Sequence, residues 1–321
     1  MLINCVAYQE GKKLSDIPAS DIAKYIKKPD CFVWVGLRDA SSEELNQMQK
    51  DFGLHELAVE DARNGHQRPK IEEYGDSLFV VLHTFDMVAN ELLVGEVAIF
   101  ADKNYVLSVR SGSQQNFLAV RARCEREPPQ LKHGPAFVMY ALMDAVVDRY
   151  FPIVDALESE LELIEENIFI GNGQRANMER LYELKRKVTL LKHAVAPLME
   201  AVAKLHGGRV PPLCENTQEY FRDIHDHLHR INTSIETIRD TISTAIQVSL
   251  SMVAIEDGRV HKRLAAWAAI FAVATIFVGV WGMNFENIPE LKFRYGYPMA
   301  LGVIIMVCGY LYYRFKKSGW L

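Results

Sequence analysis

The stretch from Leu264 to Asn284, LAAWAAIFAVATIFVGVWGMN, constrains this chain more than any other. It carries no charged residue and no proline. At about 1.5 Å of rise per residue, a helix of this length with its flanks crosses a hydrocarbon core of roughly 30 Å. Wound as a helix, its residues sort by size. Ala265, Ala268, Ala272, Thr275, Gly279 and Gly282 step by three and four and share one face. Trp267, Ile270, Phe271, Phe277 and Trp281 lie on or near the other. The bulky side suits lipid. The slim side meets either other helices, in close small-residue packing, or a water path at the centre of a ring of such helices.

A second apolar stretch, YPMALGVIIMVCGYLYY, spans Tyr297–Tyr313. His261, Lys262 and Arg263 precede the first stretch, and Arg314, Lys316 and Lys317 follow the second. Cationic flanks mark the cytoplasmic side. Both termini are then inside, and the link from Phe285 to Gly296 is outside. Two helices per chain cannot enclose a path, so transport through this part requires an oligomer.

The chain has 321 residues, enough for a further domain ahead of the hairpin. Its net charge of -5 argues against general nucleic-acid affinity. Cys5, Cys31, Cys124, Cys214 and Cys308 are scattered, with no CxxC, which fits a reducing compartment and argues against a zinc ribbon. The N-terminus MLINCVAYQEGKKLSD lacks a long apolar core, so no signal peptide is visible. Insertion relies on the C-terminal segments. No phosphate loop, dinucleotide fingerprint or nucleophile–base constellation stands out, which argues against an enzyme.

Residues 1–134 read as a mixed α/β domain. Cys31–Leu37, Ser77–Phe85, Val94–Asp102 and Asn104–Arg110 are strand-like runs rich in Val, Phe and Ile. Ser41–Phe52 opens with a serine cap followed by acids, a helix start, and His55–Arg63 is a second helix candidate. GHQRPKIEEYGD, Gly65–Asp76, is polar and turn-like and reads as a loop. Residues 135–210 read as a helical hairpin: a run from Pro135 to Phe169, a turn at Gly171–Gly173, and a return over Met178–Leu205. The acids Asp155, Glu158, Glu160, Glu162, Glu165 and Glu166 form either a solvated face or a cation-attracting surface.

Residues 211–263 read as one long stalk helix opening at Pro211–Leu213 and leading into a membrane hairpin over 264–321, with spans at 264–283 and 297–313 and an outer loop at 284–296. Ile224, Leu228, Ile231, Ile235, Ile238, Ile242 and Ala245 step by four and three, a heptad seam. Such a seam demands cover, either from copies of itself or from the preceding hairpin. His225 and His229, spaced i,i+4 in IHDHLH, have the spacing of a metal-ligand pair.

Gly282-Met283-Asn284 closes the first membrane segment and is followed by FENIPEL and then GYP. Here the sequence resembles the CorA family of magnesium transporters, whose hallmark is GMN with an acidic loop and PEL. HQRPK at His66–Lys70, YFRD at Tyr220–Asp223, DH at Asp226–His227 and ETIRD at Glu236–Asp240 extend the likeness over nearly the whole chain. The resemblance implies an α+β fold with membrane helices: a homopentameric funnel of the bacterial inner membrane, with a cytoplasmic α/β/α domain, a long helical stalk and two C-terminal transmembrane helices. It implies passive influx of Mg²⁺, with Co²⁺ and Ni²⁺, driven by the membrane potential. A divalent ion moving inward through about 100 mV gains roughly 4.6 kcal/mol.

By the same resemblance Gly282, Met283 and Asn284 form the selectivity mouth, and His261, Leu264, Ala272, Thr275 and Gly279 line the path. Mg²⁺ sheds water reluctantly, and a ring of Asn284 carbonyls suits an ion that is still hydrated. Asn284 also fits a helix C-cap. Glu286 and Glu290 raise the local cation concentration outside, partly cancelled by Lys292 and Arg294. Family regulation by intracellular Mg²⁺ points to Asp223, with Asp86 as its counterpart across a subunit boundary. Three departures bear on the gate. Ala272-Val273 lacks the usual hydrophobic residue and proline, Gly258 stands where an asparagine is common, and Trp281 replaces tyrosine before GMN. Two rivals are a Zn²⁺ transporter of the related zinc-transporting branch, which departs from GMN, and a non-conducting membrane-tethered sensor.

Overall fold

The computed structural model describes residues 1–113, 116–170, 174–283 and 294–321. Two compact units divide the chain, Met1–Ser243 and Thr244–Leu321.

The first unit is built on a seven-stranded sheet: β1 (Leu2–Gln9), β2 (Lys12–Asp16), β3 (Cys31–Arg38), β4 (Lys70–Tyr74), β5 (Ser77–Val88), β6 (Glu91–Asp102) and β7 (Tyr105–Ser111), in the order β2-β1-β3-β7-β6-β5-β4. β3 and β7 are parallel, with Val35 opposite Leu107, and the other neighbours are antiparallel. β3 is buried along both faces except at its last residue, which is why its apolar run does not alternate. Ala89 and Asn90, both at positive φ, close the β5–β6 hairpin in two residues. Glu10 and Gly11 do the same between β1 and β2, and at Gly11 a Cβ would come within 2.3 Å of the Pro128 carbonyl oxygen.

Helices cover both faces of the sheet. On one side lie α1 (Ile22–Tyr25), α2 (Ser42–Phe52) and α3 (Glu56–Asn64), whose Leu45, Met48, Phe52, Ala58 and Val59 pack with Val33, Val35, Phe100 and Leu107. The serine cap expected before α2 is present: Ser41 accepts from the Glu44 N–H, and the Glu44 carboxylate accepts from the Ser41 N–H. On the other side lie α4 (Leu118–Arg126), α5 (Pro128–Leu131) and α6 (Pro135–Val147), the last buried along most of its length. The α/β/α layering expected from the sequence is the architecture observed.

The structure differs from the sequence reading in four places. The N-terminal sixteen residues, read only for the lack of a signal peptide, supply β1 and β2. Gly65–Asp76 is not a plain loop, because its centre is the edge strand β4, whose polar residues suit a half-exposed edge. The run from Pro135 breaks at Asp148 and Arg149, and α7 (Tyr150–Ile170) begins a new helix. Both helices are rich in apolar residues, so periodicity alone does not reveal the break. Tyr150 is buried there, and its hydroxyl donates to the His83 carbonyl at 2.5 Å.

α8 (Gln174–His206) returns against α7, tied by Lys187 to Glu160 at 2.8 Å. Most of the α7 acids lie on a solvated face. The fourth difference concerns the next helix. Pro212–Cys214 forms a separate 3-10 turn, and α9 (Gln218–Trp281) starts after it and continues for 64 residues. In the first unit its seam residues Ile224, Leu228, Ile231, Ile235, Ile238 and Ile242 are all buried. α8 and α7 supply part of their cover: Lys192 pairs with Glu236 at 2.5 Å, and Arg230 stacks over Phe151. The seam is covered by its own chain, so it does not by itself require a second copy.

The second unit contains the rest of α9 and α10 (Gly296–Lys317), two helices long and apolar enough to cross a membrane.

Candidate ion path and metal centre

Within the second unit, α10 meets one face of α9. Ala266 and Ile270 are buried, the Cys308 thiol reaches the Ile270 carbonyl at 3.8 Å, and the Trp267 and Tyr312 rings lie 6.3 Å apart. Ile270, assigned by its bulk to the lipid side, therefore faces the chain's own second helix. The slim face is elsewhere. Ala265, Ala268, Ala272, Thr275, Gly279 and Gly282 are all exposed, as are the path-lining candidates His261 and Leu264. A Cβ added at Gly279 would meet nothing within 4 Å. The small residues of this stripe are not buried between α9 and α10.

Thr275 donates its hydroxyl proton to the Phe271 carbonyl at 2.8 Å. Its oxygen keeps acceptor lone pairs on an exposed side chain. The helix runs through Gly258 and Ala272-Val273 without interruption, in keeping with the missing proline. It ends at Trp281, where the Gly282 N–H still reaches the Val278 carbonyl at 2.8 Å and Met283 is exposed. Asn284, Glu286 and Glu290 lie outside the described residues.

A second cluster sits in the first unit, where α9 passes α6 and α7. Asp144, Asp223 and His227 bring one ligand atom each within 4.8 Å of one another. Helical spacing puts Asp223 and His227 on one face of α9, 3.8 Å apart, and Asp148 approaches the same imidazole at 3.5 Å. Asp144 is buried and held by Arg123 at 2.8 Å. Burial, then the Asp144 charge, push the Asp148 carboxyl above the usual carboxylate range. The His227 Nδ1 is buried without a hydrogen-bond partner. Three carboxylates converging on one imidazole form an oxygen-rich donor set that fits a hydrated Mg²⁺, which takes one or two carboxylates and keeps its waters.

Asp223, the acid named from the sequence, stands in this group. Its companions Asp144 and Asp148 were missed, because they lie more than seventy residues away in the chain and only packing brings them close. Asp86 is not part of this group. It sits half-buried on β5 opposite Leu93, and its charge acts on the Arg149 guanidinium. His225 and His229 do not converge as a pair either: His229 is exposed, and the His225 ring lies against His206.

A sheet clad in helices, a 64-residue helix whose end is apolar, a second apolar helix after it and a carboxylate cluster define the class: an α/β/α domain followed by two candidate membrane helices. Residues 30–317 match the family model described as "CorA-like Mg2+ transporter protein". The cobalt/magnesium transport protein CorA of Thermotoga maritima is 34% identical over 293 residues, covering 90% of this chain and 83% of that protein. In fold, the chain is similar to the complete CorA magnesium transporter of Methanocaldococcus jannaschii, with a TM-score of 0.79 at 20% identity over 100% of both chains. It is also similar to the full-length CmaX protein, with a TM-score of 0.76 at 20% identity over 98% of this chain and 97% of that one. The chain belongs to the CorA-like Mg²⁺ transporter family, whose members are membrane-embedded metal-ion transporters and not enzymes.

Proposed function

We propose that this chain forms a homopentameric channel that carries Mg²⁺, and with it Co²⁺ and Ni²⁺, passively inward across the bacterial inner membrane, with both termini in the cytoplasm. One observation carries this reading: the stripe from Leu264 through Ala272, Thr275 and Gly279 to Gly282 is left uncovered by the chain's own second membrane helix. Small and hydroxyl-bearing residues turned away from α10 suit the centre of a ring of identical helices. The bulky side then faces lipid and α10.

In this reading an amide ring of Asn284 accepts hydrogen bonds from the water shell of the ion, and Gly282 and Met283 shape the lip. Glu286 and Glu290 enrich cations at the outer mouth. His261 and Leu264 line the inner end. Inside, Mg²⁺ held at Asp223 bridges to an acid of the neighbouring subunit, with Asp86 as the candidate. Asp144, Asp148 and His227 surround that ion through its waters. Carboxylates that approach across a boundary repel unless a cation lies between them. Loss of the ion then loosens the ring and favours conduction, a two-state element biased by its ligand.

The test is Mg²⁺ influx into proteoliposomes with an interior-negative potential, read by a trapped dye. Asn284→Ala should abolish selective flux while the protein still assembles. Native mass spectrometry should count five chains. A monomer or dimer, or unchanged flux in Asn284→Ala, defeats the reading. The Zn²⁺ alternative requires uptake that follows a pH gradient, and the non-conducting sensor requires assembly without conductance for any divalent ion.

A further inference from the structure

Two contacts fix the register between α9 and α10. The Cys308 thiol reaches the Ile270 carbonyl at 3.8 Å, and the Tyr312 ring lies 6.3 Å from that of Trp267. From the first contact to the second, α10 advances four residues and α9 retreats three, so the helices run antiparallel. The next step of the same register sets Lys316 against Arg263. Arg263 precedes Ile270 by two turns and shares the face that Ile270 turns to α10. Lys316 follows Tyr312 by one turn, and its ammonium stands 6.0 Å from the centre of that ring. The base of the hairpin thus carries two cations on facing helices, one turn beyond an aromatic pair.

Among the described residues of the second unit the only acidic side chains are Glu256 and Asp257. Both lie more than one turn beyond Arg263, and Glu256 is taken by Arg259 at 3.3 Å. Arg263 and Lys316 are exposed, and like charges facing one another repel unless an anion joins them. The surroundings are those of a membrane interface. After α10 the chain turns back: Gly319 adopts a φ of 71°, the Trp320 N–H donates to the Phe315 carbonyl at 2.9 Å, and the indole stacks on Phe315 at 5.5 Å. Trp320 joins Trp267, Tyr312 and Tyr313 in a belt of exposed rings at the charged end of the hairpin. Toward the tip, Phe271 and Ile305 continue the faces of Trp267 and Tyr312 and are exposed and apolar.

We propose that Arg263 and Lys316, next to Trp267 and Tyr312, bind the phosphate of an anionic phospholipid. The guanidinium takes two phosphate oxygens as a fork, and the ammonium adds a point charge. The acyl chains lie along the apolar flank that includes Phe271 and Ile305. A free phosphate ion gains nothing from that flank. A zwitterionic headgroup brings its own cation to a site that already holds two. The proposal rests on the hairpin standing in a membrane, and not on conduction or on a count of five chains.

The experiment is native mass spectrometry of the full-length protein, delipidated in neutral detergent and titrated separately with phosphatidylglycerol and phosphatidylcholine. Wild type should take up phosphatidylglycerol saturably, about fivefold or more tighter than phosphatidylcholine, and added inorganic phosphate should not displace it. Arg263→Gln and Lys316→Gln should each weaken phosphatidylglycerol binding by about fivefold. Lys317→Gln removes the same charge from another face of α10 and should weaken it by less than about twofold. If a glutamine variant does not assemble, Lys316→Arg, which keeps the charge, should still bind as wild type does. Equal uptake of the two lipids, displacement by inorganic phosphate, or a loss in Lys317→Gln as large as in Lys316→Gln overturns the site. Lipid is counted per chain whatever the number of chains, so this result is separate from the test of the channel.

Discussion

His83 and Glu96 face one another across β5 and β6 and together hold the backbone of Gln67 at both its polar groups. The Gln67 N–H donates to the Glu96 carboxylate at 3.1 Å, and its carbonyl lies 2.8 Å from the His83 Nε2. The HQRPK segment is thereby fixed to the sheet just before it enters β4. Burial, foremost, holds the imidazole of His83 below its ordinary pKa, and burial likewise raises the carboxyl of Glu96.

These shifts give opposite pH dependences. A depressed histidine contributes stability that is present above its unfolded value, near 6.5, and lost as pH falls through the folded value. A raised carboxyl contributes stability that is present below its unfolded value, near 4.3, and lost as pH rises through the folded value. His83→Gln should therefore flatten the loss of melting temperature below about pH 6.5. Glu96→Gln, which keeps an acceptor for Gln67, should melt a few degrees above wild type at neutral pH and converge with it in acid. Melting curves across a pH series in detergent check both, and parallel curves for all three proteins would refute the assignment.

Lys187 and Glu160 form an ion pair whose side chains are only 10% and 14% exposed, and Lys187 also donates to Asn90 at the tip of the β5–β6 hairpin. Lys187→Ala leaves a buried carboxylate without its partner and should cost about 3 kcal/mol. The double variant Lys187→Met with Glu160→Leu should recover most of that loss, because it removes both desolvated charges. Denaturation midpoints of wild type and the two variants decide the matter.

Along the membrane segment of α9, position rather than residue type sets the outcome. Gly279→Leu adds bulk to the open stripe of α9 and should cut Mg²⁺ influx by more than about tenfold, equivalent to 1.4 kcal/mol or more on the barrier, while expression and melting stay near wild type. Ala266→Leu places the same bulk against α10, where the residue is fully buried, and should lower the melting temperature first. Flux and melting measured side by side distinguish the two faces. Equal effects in both variants would remove the argument for the path.

On the proposed gating by internal Mg²⁺, Asp223→Ala should leave flux at low internal Mg²⁺ near that of wild type and let it persist at levels expected to close the wild type. Asp144→Asn should act more weakly on closure and add a stability loss of about 1.5–3 kcal/mol, because its partner Arg123 loses a charged acceptor. Dye-loaded vesicles with set internal Mg²⁺ give the first result and denaturation the second.

Much of the fold was legible in the chain. The four runs of Val, Phe and Ile became β3, β5, β6 and β7, since β-branched and aromatic residues between turn signals have few other outcomes. The capped start of α2 followed from Ser41 and Glu44. Edge strands were not legible: β4 is polar because it is half-exposed, and polarity reads as loop. The break at Asp148 was hidden between two apolar helices. Of the carboxylate cluster beside His227 the sequence reading named only Asp223. Asp144, Asp148 and their α9 neighbours are brought together by the packing of α6 and the turn after it against one helix, and no local spacing encodes that.

By itself the sequence determined that a charge-free, proline-free segment would be a membrane-length helix with a slim side and a bulky side, because residue size and the 3.6-residue turn fix both. It also determined that α9 would carry an unbroken isoleucine seam. Only tertiary structure decided what each surface meets. The seam is buried within its own chain, Ile270 lies under α10 rather than lipid, and the stripe through Thr275 and Gly279 is left open. The physical reason is that periodicity defines a face, whereas a partner is chosen by whichever apolar surface the rest of the chain brings within contact.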